Sequence, residues 1–269
     1  MDLSLCSINT ITVRSLGLRP LIDEALARGV GAVAPWRDLL ATVGTDEAAR
    51  LLRGSGLRVT SLCRGGMFTA VDEGGRRAAI EDNLRAIDEA HAIGADCLVL
   101  VCGPLVGKDL AGSRAMVRDG ILAILPHATA AGMPLGIEPL HPMMVADRSV
   151  ITTLGEANDL VDLIDSPTVG VVVDAYHVWW DPYLEEQIRR AAGRILGLHV
   201  SDWVVPITDQ LASRGMMGDG CIDLAGLVRS VRGAGYAGPV EIEILSDHWW
   251  SQPPAQVLDL ALERFVSAI

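Results

Sequence analysis

Short apolar segments rich in β-branched residues alternate along the chain with longer segments rich in alanine, leucine, arginine and glutamate. The short segments have the length of buried strands, and the long ones have the length and composition of helices. The pattern predicts strands at 3–9, 31–35, 58–63, 96–102, 134–139, 169–175, 195–201 and 240–245. It predicts helices at about 17–29, 45–54, 75–93, 110–131, 152–164, 183–192, 223–234 and 253–267.

Eight strand–helix units in strict alternation point to one fold. Dividing 269 residues among eight units leaves about 34 residues for each, which suits an α/β barrel. The competing fold is a doubly wound open sheet, whose usual GxGxxG turn after the first strand is missing here. No linker or shift in composition divides the chain. The sequence therefore predicts a single α/β domain over residues 1–269, a (β/α)8 TIM barrel.

The charge composition narrows the classes of partner. Lysine and arginine total 22 and aspartate and glutamate 34, which gives a net charge of −12. Such an acidic chain repels phosphate backbones, which disfavours nucleic-acid binding. No apolar run reaches the roughly 18 residues that a membrane span needs, and the N-terminal sequence does not resemble a secretory signal. With five cysteines and no CxxC motif, we expect a cytoplasmic protein. A homo-oligomer is left open.

Four ionisable residues stand at the ends of the last four predicted strands. They are Glu138, Asp174, His199 and Glu243, and their spacings of 36, 25 and 44 average 35, one strand–helix unit per step. Active sites of such barrels lie at the C-terminal ends of the strands, so these side chains should converge. Three carboxylates and an imidazole suit Mn²⁺ or Mg²⁺, with Co²⁺ and Zn²⁺ as further candidates. The alternative is four separate ion pairs.

The last strand carries two candidate ligands. Glu241 and Glu243 share one face, while Val240, Ile242 and Ile244 form the apolar face that should meet the helices. Both glutamates should therefore point into the barrel. Glu243 lies nearer the C-terminal end, level with the other ligands, so we expect Glu241 to have a structural, hydrogen-bonded role one layer below.

The loops after the strands carry aromatic and basic residues. All six tryptophans follow predicted strands, which favours a deep apolar-walled pocket; the alternative is loop anchoring or a subunit interface. Arg64 follows the third strand in a glycine-containing turn, and Arg214 lies in a glycine-rich loop after the seventh. These arginines, with Lys108 and Arg148, can bind substrate hydroxyls, a carboxylate or a phosphate. Each can equally form a surface ion pair.

The chain resembles the sugar phosphate isomerase/epimerase superfamily of xylose-isomerase-like TIM barrels. The motifs that carry the resemblance are IEPLHP at 137–142, VVVDAYHVWWDP at 171–182, LHVSDW at 198–203, RGMMGDGCID at 214–223 and GPVEIEIL at 238–245. The resemblance implies a divalent metal, often Mn²⁺, on Glu138, Asp174, His199 and Glu243. It implies substrate binding by His177 and Arg214. We add Arg64, His141, Trp36 and Trp203 as candidate substrate-binding residues.

The resemblance implies an isomerase or epimerase of a ketose-like sugar or cyclitol. Glu138 and Glu243 would move a proton on and off an enediolate carbon. The first alternative is a lyase or dehydratase that acts on a keto-sugar, a 3-keto-glycoside or an inosose. The superfamily also includes a DNA-repair endonuclease, which needs more histidine ligands and a basic groove, and a non-catalytic sugar-binding barrel is a fourth possibility. Fold alone does not select the reaction.

Overall fold

Nine parallel strands form a nearly closed barrel in the computed structural model, which describes residues 1–269. The strands are β1 (Cys6–Asn9), β2 (Ala32–Ala34), β3 (Arg58–Val59), β4 (Leu62–Gly66), β5 (Leu98–Val101), β6 (Leu135–Glu138), β7 (Val169–Asp174), β8 (Ile195–Val200) and β9 (Val240–Ile242). Their order in the sheet is β3-β2-β1-β9-β8-β7-β6-β5-β4. The predicted TIM barrel is confirmed.

The third predicted strand, 58–63, is in fact two strands. β3 ends at Val59 and β4 begins at Leu62. The hydrogen bonds of the two residues between them explain why the strand is interrupted there. Thr60 and Ser61 direct their hydroxyls to the buried carboxylate of Glu241. Isolated bridges from Trp36 to Cys63 and from Val59 to Ala95 continue the pairing across the gap.

The helices lie where the periodicity predicts them, with three additional short ones. The helices are α1 (Leu18–Ala27), α2 (Arg37–Val43), α3 (Thr45–Ser55), α4 (Glu73–Ile93), α5 (Leu110–Ala131), α6 (Leu154–Ile164), α7 (Ala175–Val178), α8 (Leu184–Arg190), α9 (Leu224–Gly233), α10 (Asp247–Trp250) and α11 (Pro254–Ala268). The short α2, α7 and α10 each lie in the loop after a strand, at the end of the barrel that carries the polar residues.

Polar caps delimit the long helices. Asp72 and Asp109 accept hydrogen bonds from the amides of Gly75 and Gly112 at the starts of α4 and α5, which satisfies amides that have no partner within the helix. Both helices end at a glycine in the left-handed conformation, which accommodates the C-cap without a Cβ clash.

The main core lies between the barrel and the helices. It is a continuous cluster of 61 buried apolar residues. Two small clusters are separate from it, one of Val101, Leu140, Met144 and Tyr176 and one of Cys97, Val99 and Val172. Successive side chains of β5 point to opposite faces of the sheet, so Val99 belongs to a small cluster while Leu98 and Leu100 belong to the main core. Four of the five cysteines are buried and none forms a disulfide.

No helix of the structure is both long enough and apolar enough to cross a membrane.

The packing of α5 against the loop after β4 can be tested at Gly120. A Cβ there would lie 2.3 Å from Cδ1 of the buried Phe68, so Gly120→Ala should lower the free energy of unfolding by about 1–3 kcal/mol. Gly54 in α3 is the matched control because nothing lies within 4 Å of its Cβ position. Gly54→Ala should raise stability by about 0.5–1 kcal/mol. Urea unfolding measures both changes, and an unchanged or higher stability of Gly120→Ala would contradict this packing.

Candidate metal centre and active site

Four side chains from successive strands converge inside one end of the barrel. Glu138 ends β6, Asp174 ends β7, His199 lies on β8, and Glu243 follows β9. One ligand atom of each lies within 4.8 Å of those of the other three, and all four residues are buried. The predicted convergence is therefore present, and we call these four residues the ligand cluster.

The atoms of the ligand cluster suit a divalent cation. Oε1 of Glu138 and both ring nitrogens of His199 are buried, and apart from the 3.0 Å contact between Oε1 and Nδ1 they have no hydrogen-bond partner. Buried polar atoms are normally satisfied, and a set of carboxylate oxygens with one imidazole is a common metal environment. The ligand cluster can therefore bind a divalent metal.

His199 lies between the ligand cluster and Glu241. Its Nδ1 is 3.0 Å from Oε1 of Glu138 and 3.7 Å from Oε2 of Glu243, whereas its Nε2 is 3.5 Å from Oε1 of Glu241. The three glutamates outweigh the effect of burial and raise the pKa of His199 well above its ordinary value. A divalent metal bound at Nδ1 would take the place of a proton, and Nε2 would still face a carboxylate, as in many metal sites.

Glu241 is held by hydrogen bonds from three residues. Its carboxylate accepts from Nδ2 of Asn9 at 2.7 Å, from the Thr60 hydroxyl at 2.9 Å and from the Ser61 hydroxyl at 3.0 Å. The strand register pairs Glu241 with His199, and Glu243 is two residues farther along. The hydrogen-bonded position predicted for Glu241 is confirmed.

Asn9 is a site residue that the sequence analysis missed. Its Nδ2 donates to both glutamates of the last strand, to Glu241 at 2.7 Å and to Glu243 at 3.1 Å. Its Oδ1 accepts from the amide of Ile11 at 2.9 Å, which fixes the orientation of the side-chain amide. The signal in the sequence was available, since Asn9 is a polar residue at the end of the first strand.

Arg214 lies directly against the ligand cluster. Its Nη1 donates to Oδ2 of Asp174 at 2.9 Å and to Oε2 of Glu243 at 3.1 Å, and its guanidinium lies over the ring of Tyr176 at 4.6 Å. The side chain is only 3% exposed, and its backbone amide donates to the carbonyl of Leu245. Arg214 therefore supplies positive charge to two of the buried carboxylates.

The carboxylates beside Arg214 respond differently to this charge. Burial pushes the pKa of Asp174 upward, but Arg214, His177 and His199 outweigh it and lower the pKa to about 2. Burial of Glu243, reinforced by Glu138 and Asp174, outweighs Arg214 and His199 and raises its pKa to about 8. Burial also raises the pKa of Glu138, despite the proximity of His199. Asp174 is therefore a stable anion, while Glu243 can exchange a proton near neutral pH and Glu138 holds a proton more readily than an exposed carboxyl.

His177 lies beside Arg214 in a fixed orientation. Its Nδ1 accepts a hydrogen bond from the amide of His141 at 3.2 Å, which assigns the proton of the neutral ring to Nε2. Burial lowers the pKa of His177 to about 3, although Asp174 opposes the effect. The neutral ring therefore carries its proton on Nε2 and cannot also accept from Nη2 of Arg214, which lies 3.1 Å away, and the nearest carboxylate oxygen, Oδ2 of Asp174, is 3.6 Å away.

A cavity of about 280 Å³ opens onto the ligand cluster. Its lining residues are Ile11, Arg14, Trp36, Cys63, Arg64, Val101, Glu138, Leu140, Arg148, His177, Leu211, Arg214, Glu243, Leu245 and Trp250. The volume lies just below the range of about 300–1,000 Å³ typical of small-molecule sites. Among the predicted substrate-binding residues, Trp36, Arg64, His177 and Arg214 line this cavity.

The other aromatic candidates pack outside the cavity. The ring of Trp203 stacks on His141 at 4.8 Å and on Tyr176 at 4.9 Å, and neither Trp203 nor His141 is among the lining residues. Of the six tryptophans, Trp36 and Trp250 line the cavity, whereas Trp249 packs against the main core. The substrate contacts expected of Trp203 and His141 stay predictions. Lys108 is exposed and does not line the cavity.

Residues 22–267 match the family model of the xylose isomerase-like TIM barrel. The crystal structure of protein SMc04130 from Sinorhizobium meliloti 1021 is 50% identical, covers 99% of each chain and superposes with a TM-score of 0.97.

Two curated enzymes are similar in sequence. A 3-dehydroshikimate dehydratase of Pseudomonas putida is 30% identical over 193 residues, which cover 68% of this chain and 29% of that enzyme. The chain thus spans less than a third of the length of that relative. An inosose isomerase of Halalkalibacterium halodurans is 20% identical over 207 residues, 75% of this chain and 72% of that enzyme. The family-model match extends over most of the barrel, and the chain therefore belongs to the xylose isomerase-like TIM barrel family.

Proposed function

We propose that this protein is a divalent-metal-dependent isomerase or epimerase that acts on a ketose-like sugar or cyclitol through an enediolate intermediate. The observation that carries the proposal is the ligand cluster, whose four side chains from successive strands lie within 4.8 Å of one another beside a small-molecule cavity. The similarity to an inosose isomerase supports the reaction class.

Glu138, Asp174, His199 and Glu243 would hold the metal, for which we propose Mn²⁺. Three carboxylates and one imidazole are a mostly hard donor set, which favours Mn²⁺ or Mg²⁺, and Co²⁺ and Zn²⁺ are the alternatives. The bound ion would polarise a substrate carbonyl and acidify the neighbouring C–H bond.

Glu138 and Glu243 are the proposed proton carriers. Both line the cavity, and the pKa of each carboxyl is raised, which suits groups that accept and return a proton near neutral pH. One glutamate would remove the proton beside the carbonyl, and the other would deliver a proton to the neighbouring carbon or to the opposite face. His177 would donate from Nε2 to the oxygen that gains charge, and Arg214 would stabilise the same charge.

A lyase or dehydratase is the second candidate. It would use the same proton abstraction but expel a leaving group from the β carbon, with a keto-sugar, 3-keto-glycoside or inosose as substrate. The 30% identity to a 3-dehydroshikimate dehydratase favours this candidate. Both candidates have a small carbohydrate-like substrate as partner. Homo-oligomerisation and a cytoplasmic location stay predictions.

The two glutamates of the last strand should differ in their effect on metal content. Glu243→Gln removes a proposed ligand charge, so elemental analysis should show far less than the one ion per chain expected of the wild type. Glu241→Gln, its matched control, should retain the metal at saturation but lower stability by about 1–3 kcal/mol, because it disturbs buried hydrogen bonds. Loss of the metal from Glu241→Gln with retention in Glu243→Gln would reverse the assignment.

The proton-transfer step can be tested by solvent exchange. Turnover in D₂O by an isomerase or epimerase should place solvent deuterium on the carbon beside the carbonyl, while a lyase should release a leaving group that mass spectrometry detects. Glu138→Gln keeps the shape of the side chain but removes the base, so it should suppress either reaction by about 100-fold or more. Full activity of Glu138→Gln, without exchange or elimination in the wild type, would exclude the proposed mechanism.

A further inference from the structure

The cavity is lined by more arginines than the carboxylates of the ligand cluster pair with. Besides Arg214, which is paired with Asp174 and Glu243, three arginines line it, namely Arg14, Arg64 and Arg148. Arg14 lies at the rim, with its guanidinium over the ring of Trp250 at 3.7 Å. The net charge of the whole chain is −12, so this concentration of arginines is a local feature.

The side chain of Arg64 has no partner within the protein, and that of Arg148 has only a long ion pair with Asp147. The side chain of Arg64 makes no hydrogen bond or ion pair, and the polar contact of this residue with Arg37 is through its carbonyl oxygen. Nε of Arg148 is buried without a hydrogen-bond acceptor, and the carboxylate that approaches it, Asp147, lies 3.6 Å away. These two guanidinium groups therefore have unused donors that face a cavity.

The neighbouring Arg37 shows how this protein satisfies a structural arginine. Its guanidinium donates to Asp82 at 2.8 Å and to Glu89 at 2.7 Å, and it lies outside the cavity lining. Burial, reinforced by the charges of Arg148 and Arg37, lowers the pKa of Arg64. Arg64 and Arg148 line one cavity, and like charges that share a partly buried cavity are unfavourable unless an anion binds there.

We propose that Arg64 and Arg148 form an oxyanion-binding subsite that takes an acidic group, a carboxylate or a phosphate, on the substrate. Guanidinium groups present paired N–H donors that match both oxyanions. The subsite lies in the same cavity as Glu138 and Glu243, so one small molecule can contact both. This inference rests on the proposed function and narrows its substrate to an acidic keto compound in place of a neutral sugar.

Binding measurements on the Mn²⁺-loaded protein test the subsite. Calorimetry would compare shikimate, a polyhydroxylated cyclohexene carboxylate, with its neutral methyl ester and with inorganic phosphate. At least one of the two anions should bind about tenfold or more tightly than the ester. Tighter binding of shikimate would identify a carboxylate subsite, and tighter binding of phosphate would identify a phosphate subsite.

Substitutions test whether Arg64 and Arg148 are the source of the preference for anions. Arg64→Gln and Arg148→Gln should each weaken binding of the preferred anion by about 10- to 100-fold and leave the ester unchanged. Arg118→Gln removes the same charge from the exposed surface of α5 and should bind like the wild type. Circular dichroism and metal content would confirm that the variants are folded and loaded.

Equal affinity for anions and ester, unchanged affinity in both cavity variants, or no binding of any probe at millimolar concentration would overturn the subsite. These outcomes are separate from failure of the proposed reaction, since binding needs no turnover. If the wild type showed neither isotope exchange nor elimination but still bound anions more tightly than the ester, the proposed reaction would be excluded and the subsite would be retained.

Discussion

The concentration of buried negative charge in the barrel is the constraint on which the rest of the site depends. Glu138, Asp174, Glu241 and Glu243 are each 4% exposed or less. Isolated carboxylates at such depth would be very costly. Arg214 is the one guanidinium that contacts them, and His199 is surrounded by three of the glutamates. A divalent cation would supply the charge that this arrangement needs, which is why the metal is central to the proposed function.

Hydrogen bonds divide these carboxylates into two groups. Glu241 accepts from Asn9, Thr60 and Ser61, so three polar side chains from the first and third barrel strands satisfy it. Oε1 of Glu138 has only the 3.0 Å contact with Nδ1 of His199, itself a proposed metal ligand. A carboxylate that the protein satisfies is structural, and one that it leaves open is available to a ligand. The same reasoning applies to the arginines, because two acids satisfy Arg37, whereas Arg64 has no acidic partner and Arg148 has only a 3.6 Å contact with Asp147.

The fold and the convergence of the ligand cluster could be predicted from the sequence. The fold could be predicted because strands and helices have different hydrophobic periodicities. The convergence could be predicted because the C-terminal ends of parallel strands in a barrel lie on one face, which brings residues spaced by whole strand–helix units close together. The interruption of the third strand could not be predicted, because threonine is a good strand former and only the buried Glu241 explains why Thr60 turns inward. Side-chain directions in loops depend on tertiary packing, which is why Trp203 was placed near substrate but stacks on His141 and Tyr176.

Anomalous diffraction from crystals soaked in MnCl₂ tests the central claim most directly. The account predicts one strong peak per chain inside the ligand cluster, with oxygen atoms of Glu138, Asp174 and Glu243 and Nδ1 of His199 about 2.0–2.6 Å away. It also predicts that Nε2 of His199 continues to face Glu241. No peak in the cluster, or a peak elsewhere while the Arg214 guanidinium remains the sole counter-charge of Asp174 and Glu243, would contradict the assignment of this site as a metal centre.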